Sequence, residues 1–75
     1  MALMLLERGG DSVIFADPRR ITAVWNGFDP FEELKHEVNV RLDGTTFVIR
    51  RFETEAEAGE FAAHLVGMIA QALNG

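Results

Sequence analysis

The chain has 75 residues, 48% apolar and 25% charged, which is enough for one hydrophobic core and too little for two. Seven basic residues against twelve acidic ones give a net charge of −5, a balance that argues against general binding to nucleic acid or to anionic membrane, since phosphate affinity is carried by Lys and Arg. Cysteine is absent, so disulfides, thiolate metal sites and cysteine nucleophiles are excluded, and a reducing, cytoplasmic home is expected.

The start, Met1 to Leu6, is a short apolar run with no basic residue before it, so no signal peptide is expected. No stretch approaches the ~20 apolar residues of a membrane span. Residues 1–75 read as a single domain.

Ala2 to Glu7 and Ser12 to Ala16 flank Gly9-Gly10. Ala, Leu and Met leave the first run open between helix and strand, but Val13, Ile14 and Phe15 are strand formers and the pair is read as a hairpin. With the glycines as a two-residue tip, Leu6 opposes Val13 and Met4 opposes Phe15. If those four face the core, Leu3, Leu5 and Ile14 face away; the reverse parity exchanges the names and still leaves an apolar set on both faces. Asp17-Pro18-Arg19-Arg20 reads as a turn, with Asp17 bonding the amide two residues on. Ile21 to Asn26 alternates as a third strand, with Ile21, Ala23 and Trp25 on one face and Val24 on the other; Gly27 ends it.

The longest connection follows, Trp25-Asn26-Gly27-Phe28-Asp29-Pro30-Phe31-Glu32-Glu33-Leu34. Asp29 is placed to cap a single helical turn with Pro30 at its first position, which sets Phe31 and Leu34 on one side. Aromatic anchors among acids, on a loop, fit a protein-binding hot spot.

Glu37 to Leu42, then Asp43-Gly44, then Thr45 to Arg50 carry the strongest local signal, because Asp-Gly between alternating apolar residues specifies a hairpin. A two-residue turn pairs Leu42 with Thr45, Val40 with Phe47 and Val38 with Ile49. Opposed residues share a face. The apolar face is therefore Val38, Val40, Leu42, Phe47 and Ile49. The other face sets Asn39 beside Val48, Arg41 beside Thr46 and Glu37 beside Arg50.

A helix is expected from about Glu55 to Leu73. Thr54 and Glu57 make a capping box, and Glu55 and Glu57 suit the positive end of the helix dipole. Ala58, Phe61, Ala62, Leu65, Ile69, Ala72 and Leu73 form one apolar stripe at helical spacing. Glu60, His64, Gly67 and Gln71 lie opposite. Asn74-Gly75 reads as a stop. The fold class is thus α+β, an antiparallel β-meander of four or five strands with one C-terminal α-helix packed on one face.

A search for chemistry assigns no catalytic, cofactor or metal site. Gly9-Gly10 lacks the Lys and helix of a phosphate loop. His36 and His64 fall in different elements, and Ser12, the only serine, has no histidine near it in sequence. The expectation is a protein without enzymatic activity that needs no cofactor. One helix covers one sheet face, which leaves Val24 and Val48 on the far side with Leu3, Leu5 and Ile14. Apolar surface of that kind marks an interface. The expected partner-binding residues are Trp25, Phe28, Phe31, Leu34, Val24, Val48 and Arg41, and the expected state is a homodimer.

Arg19, Arg20, Arg41, Arg50 and Arg51 make a candidate basic patch, with pairing inside the chain as their expected use. Two alternatives stand beside the interaction module. One is an acidic phage-type inhibitor or nucleic-acid mimic that blocks a basic site with Asp29, Glu32, Glu33, Glu53, Glu55, Glu57 and Glu60. The other is a small ligand-binding or enzymatic domain completed at a subunit interface, built from His36, Glu37, Arg41 and Arg50.

Phe15-Ala16-Asp17-Pro18-Arg19-Arg20-Ile21-Thr22-Ala23-Val24 and Val40-Arg41-Leu42-Asp43-Gly44-Thr45-Thr46-Phe47-Val48-Ile49 together resemble short bacterial and phage proteins, including the small flagellar-operon family. There a strand pair ends in a Pro turn, an Ile-rich strand follows, and a Gly hairpin leads to a C-terminal helix. The long Trp25–His36 connection and the longer helix are departures from that pattern. The resemblance implies a small non-enzymatic accessory or regulatory protein.

Overall fold

The computed structural model describes residues 3–8 and 12–74. In chain order the elements are β1 (Met4–Arg8), β2 (Ser12–Ala16), a 3-10 turn (Pro18–Arg20), β3 (Ile21–Phe28), β4 (His36–Leu42), β5 (Thr45–Phe52) and α1 (Glu55–Asn74). The strand pairings are antiparallel, so the fold is α+β. The strands divide into a β1–β2 hairpin and a three-stranded meander, β3-β4-β5. β1 lies against β5, and α1 packs on the meander.

The Asp43-Gly44 turn sets the meander. Both residues have positive φ, 51° and 82°, which gives the backbone twist that a two-residue hairpin connection requires. Leu42 pairs with Thr45, Arg41 with Thr46, Val40 with Phe47 and Asn39 with Val48, as the sequence pattern predicts. The register then shifts. Ile49 is an extra residue, so Val38 faces Arg50 and Glu37 faces Arg51 rather than Arg50. A bulge sets two residues of one strand against one of its neighbour. Ile49 is fully buried, and the Arg50 guanidinium lies 5.3 Å from the Phe52 ring and 5.4 Å from the Phe61 ring, on the helix side.

A second irregularity, between Ile21 and Ala23, inverts the alternation expected in β3. Ile21 and Val24 pack against the core, while Ala23 and Trp25 face outward opposite Arg41 and Asn39. Val24, expected on the far face, is therefore turned to the helix side.

The first hairpin is out by one residue from the expected register. Met4 opposes Ala16, Leu5 opposes Phe15 and Leu6 opposes Ile14. The proposed Gly9-Gly10 tip lies outside the described residues, but three positions rather than two separate the strands. A one-residue slip moves side chains to the other face. Leu6 and Ala16 are buried, whereas Phe15, expected inside, is 61% exposed beside Leu5 and Leu3.

Thr54 caps α1. The Glu57 N–H donates to Thr54 Oγ1 at 3.2 Å, and the Thr54 hydroxyl donates to Glu57 Oε1 at 3.0 Å. Ala58 and Leu65 are buried, and Phe61, Ala62 and Ile69 pack beside them. With Leu6, Ala16, Val38, Val40 and Ile49 they make the core. Each fully buried Leu or Ile contributes roughly 1.5–3 kcal/mol. Ala72 and Leu73, assigned by spacing to the same stripe, are exposed. A helix of 20 residues runs about 30 Å, longer than the ~26 Å of an eight-residue strand, so its last turn outruns the sheet. Gly75, half of the expected stop, lies outside the described residues.

Candidate functional site

The outward face of the meander is built on Trp25, Asn39 and Val48, which sit side by side across β3, β4 and β5. The Arg41 guanidinium lies 5.4 Å from the Trp25 ring centre, near enough for a cation–π contact. Asn39 is buried on this side and donates to Glu37 Oε1 at 3.5 Å. Arg51 Nη1 lies 2.8 Å from Glu37 Oε2, an ion pair that lacks hydrogen-bond alignment. Gly27 sits beneath these groups. A Cβ there would come within 2.7 Å of Asn39 Nδ2 and 2.9 Å of Glu37 Oε1. The expected apolar face is thus half polar: Trp25, Val48 and Arg41 share it, and Val24 does not.

Beyond β3 the chain makes a single turn at Asp29-Pro30, capped by Asp29 as expected and closed by an i→i+3 hydrogen bond. Asp29 Oδ1 accepts from the Phe31 N–H at 3.0 Å, Asp29 O accepts from the Glu32 N–H at 3.3 Å, and the Asp29 N–H donates to Lys35 O at 2.8 Å. The Asp side chain takes an amide near the start of the turn, as an N-cap does. Phe31 is 95% exposed, and Leu34 is exposed beside it in sequence. Phe28 is 60% exposed and stands 5.2 Å from the His36 ring.

Among the described residues, Arg19, Arg20 and Arg51 bind acids of this chain. Arg19 grips Asp17 through its backbone N–H (3.0 Å), Nε (3.2 Å) and Nη2 (3.0 Å). Those hydrogen bonds, the side-chain ones foremost, hold the Asp17 carboxyl below its ordinary range and raise the Arg19 guanidinium. Arg20 pairs with Asp43, and Arg51 with Glu37. Of the four groups considered for a ligand site, Arg41 faces outward over Trp25, Arg50 lies on the helix side, Glu37 is held by Arg51, and His36 stands by Phe28. The structure does not bring them together. Among the described residues no three His, Cys, Asp or Glu gather in a way that would hold a metal ion, and no helix is long and apolar enough to cross a membrane.

The two acidic segments of the proposed mimic start from the same end of the meander. Phe28, His36 and Phe52 align across the end of the meander, and a shallow cleft joins Phe28 and His36 to Glu55 at the start of α1. The Asp29–Leu34 turn and the first turns of α1 therefore occupy the same end.

Two features escape the sequence pattern. Leu5, Ile49, Phe61, Leu65 and Met68, with Arg50 and His64, line a groove between β1, β5 and α1. The outer edge of β3 pairs with no described strand. No family model, curated protein or solved structure matches the chain.

Proposed function

We propose that the chain is a non-catalytic protein-interaction module, a small accessory or regulatory protein of the cytoplasm. Its contact surfaces are the turn carrying Phe31 and Leu34 and the sheet face carrying Trp25, Val48 and Arg41. The observation that carries the reading is Phe31, a Phe held 95% in solvent by a hydrogen-bonded turn. An aromatic ring in that position, rimmed by Glu32 and Glu33, has the composition of a binding anchor. Replacing Phe31 with the photo-crosslinker benzoylphenylalanine tests it in cells of the source organism. The expected result is a covalent adduct with one protein, lost on adding Leu34→Asp. If neither position 31 nor position 48 yields an adduct, the reading fails.

A second reading, a nucleic-acid mimic, is favoured by the two acidic segments, carrying Asp29, Glu32, Glu33, Glu53, Glu55, Glu57 and Glu60, that start from the same end of the meander. It requires a basic partner and binding that weakens steeply with salt. A captured partner whose affinity is indifferent to salt would leave the first reading alone.

A further inference from the structure

β3 is the outer strand of the meander, and its far edge has no described partner strand. Exposed edges are normally blunted by Lys, Pro or inward charge. Residues 21–28, Ile-Thr-Ala-Val-Trp-Asn-Gly-Phe, contain none of these and no ionisable side chain at all, in a chain that is one quarter charged. The irregularity beside Thr22 bends only one end. Two copies of this edge can therefore meet without charge repulsion, although each chain carries −5.

We propose that β3 is a self-association strand: a second copy of this chain adds its own β3 antiparallel to it, about a two-fold axis at Trp25. The strand is self-complementary in that register. On the outward face Trp25 meets its own copy, and Ala23 meets Gly27 of the other chain on either side. These two small residues leave room for the paired indoles, which favour such cross-strand contact. On the helix side, Phe28 of one copy falls opposite Thr22 of the other. Thr22 lines a groove with Ile21, Ala23, Val24, Val66 and Ile69, and Val66 is exposed there. The exposed Phe28 ring of each copy thus has an apolar seat in the other. The two meanders become one six-stranded sheet, with an isologous interface. This inference rests on the reading of the chain as an interaction module and names one of its partners.

Light scattering after size exclusion, over a dilution series of the full chain, tests it. The expected mass is twice 8.3 kDa at high concentration, falling to a monomer on dilution. Trp25 is the only tryptophan, so its emission should shift to the red over the same range. Phe28→Asp changes a side chain already in solvent and should raise the dissociation midpoint at least about tenfold with the thermal transition of the monomer intact. Ala23→Glu should act in the same direction. A wild-type chain that stays monomeric throughout overturns the proposal, as does a dimer that ignores Phe28→Asp but is split by Val48→Glu. Neither result touches the adducts at position 31, so the two readings fail separately.

Discussion

Arg51 and Glu37 meet at 2.8 Å across the β4–β5 ladder, in the pairing that the bulge at Ile49 creates. Both side chains are largely covered, and the same carboxylate also accepts from Asn39. Removing it leaves a guanidinium nitrogen and a buried amide short of a partner. Glu37→Ala should cost about 1–3 kcal/mol in urea unfolding. A loss within about 0.5 kcal/mol, the size of an ordinary surface substitution, would show that the pair is not holding the ladder.

Gly27 lies under that cluster for want of space. The Cβ of alanine would meet Asn39 Nδ2 and Glu37 Oε1 below 3 Å, and neither group is free to swing, one being buried and the other ion-paired. Gly27→Ala should therefore destabilise by about 1–3 kcal/mol. Combined with Asn39→Ala, the two losses should fall short of their sum by at least about 0.5 kcal/mol. Strict additivity would place the cost in the backbone instead.

Gly44 is the opposite case. Nothing lies within 4 Å of its missing Cβ, but its φ is +82°. Gly44→Ala should cost about 1–2 kcal/mol through conformation alone, with no coupling to substitutions at Asn39 or Glu37. An unchanged melting temperature would mean that the turn relaxes to another type at no cost.

Asp17 contributes to the loss of stability in acid. Its carboxyl is held below its ordinary value by the Arg19 hydrogen bonds, so the folded state binds its proton less readily than the unfolded chain. The contribution is complete above the unfolded value of about 4. It is lost as pH falls through the lower folded value. Thermal melts from neutral pH into the acid range should show a drop in wild type that is shallower in Asp17→Asn. Parallel curves would remove Asp17 from the account.

The parts of the fold legible in sequence are those specified by local chemistry. Asp43-Gly44 can take the two positive φ angles of a tight hairpin, and Thr54 takes the Glu57 amide in the first turn of α1. Asp17 bonds the Arg19 amide as its turn position implies. What alternation could not reveal were the extra residues at Thr22 and Ile49. Neither is Gly or Pro, and each inverts the faces beyond it. For that reason Val24 was expected outside and Arg50 beside Glu37. Gly9-Gly10 suggested a two-residue tip, and the added position turned Phe15 outward. Asp29, by contrast, caps its turn through the Phe31 amide, as the Asp-Pro pair implies. Of the contact residues inferred from sequence, Trp25, Val48 and Arg41 do assemble on one face, and Phe31 and Leu34 on one turn.

The extra residue in β5 also fixes which changes of length the strand can absorb. Excising Ile49 would restore unbroken pairing with β4 and keep Arg50, Arg51 and Phe52 opposite Val38, Glu37 and His36, with Phe52 still on the side of Phe61, yet it would take a fully buried side chain out of the core. Hydrophobic substitutions at this point keep the core filled, whereas a single-codon deletion would leave the place of Ile49 empty. Descendants of this chain should vary at position 49 in kind and hold it in number.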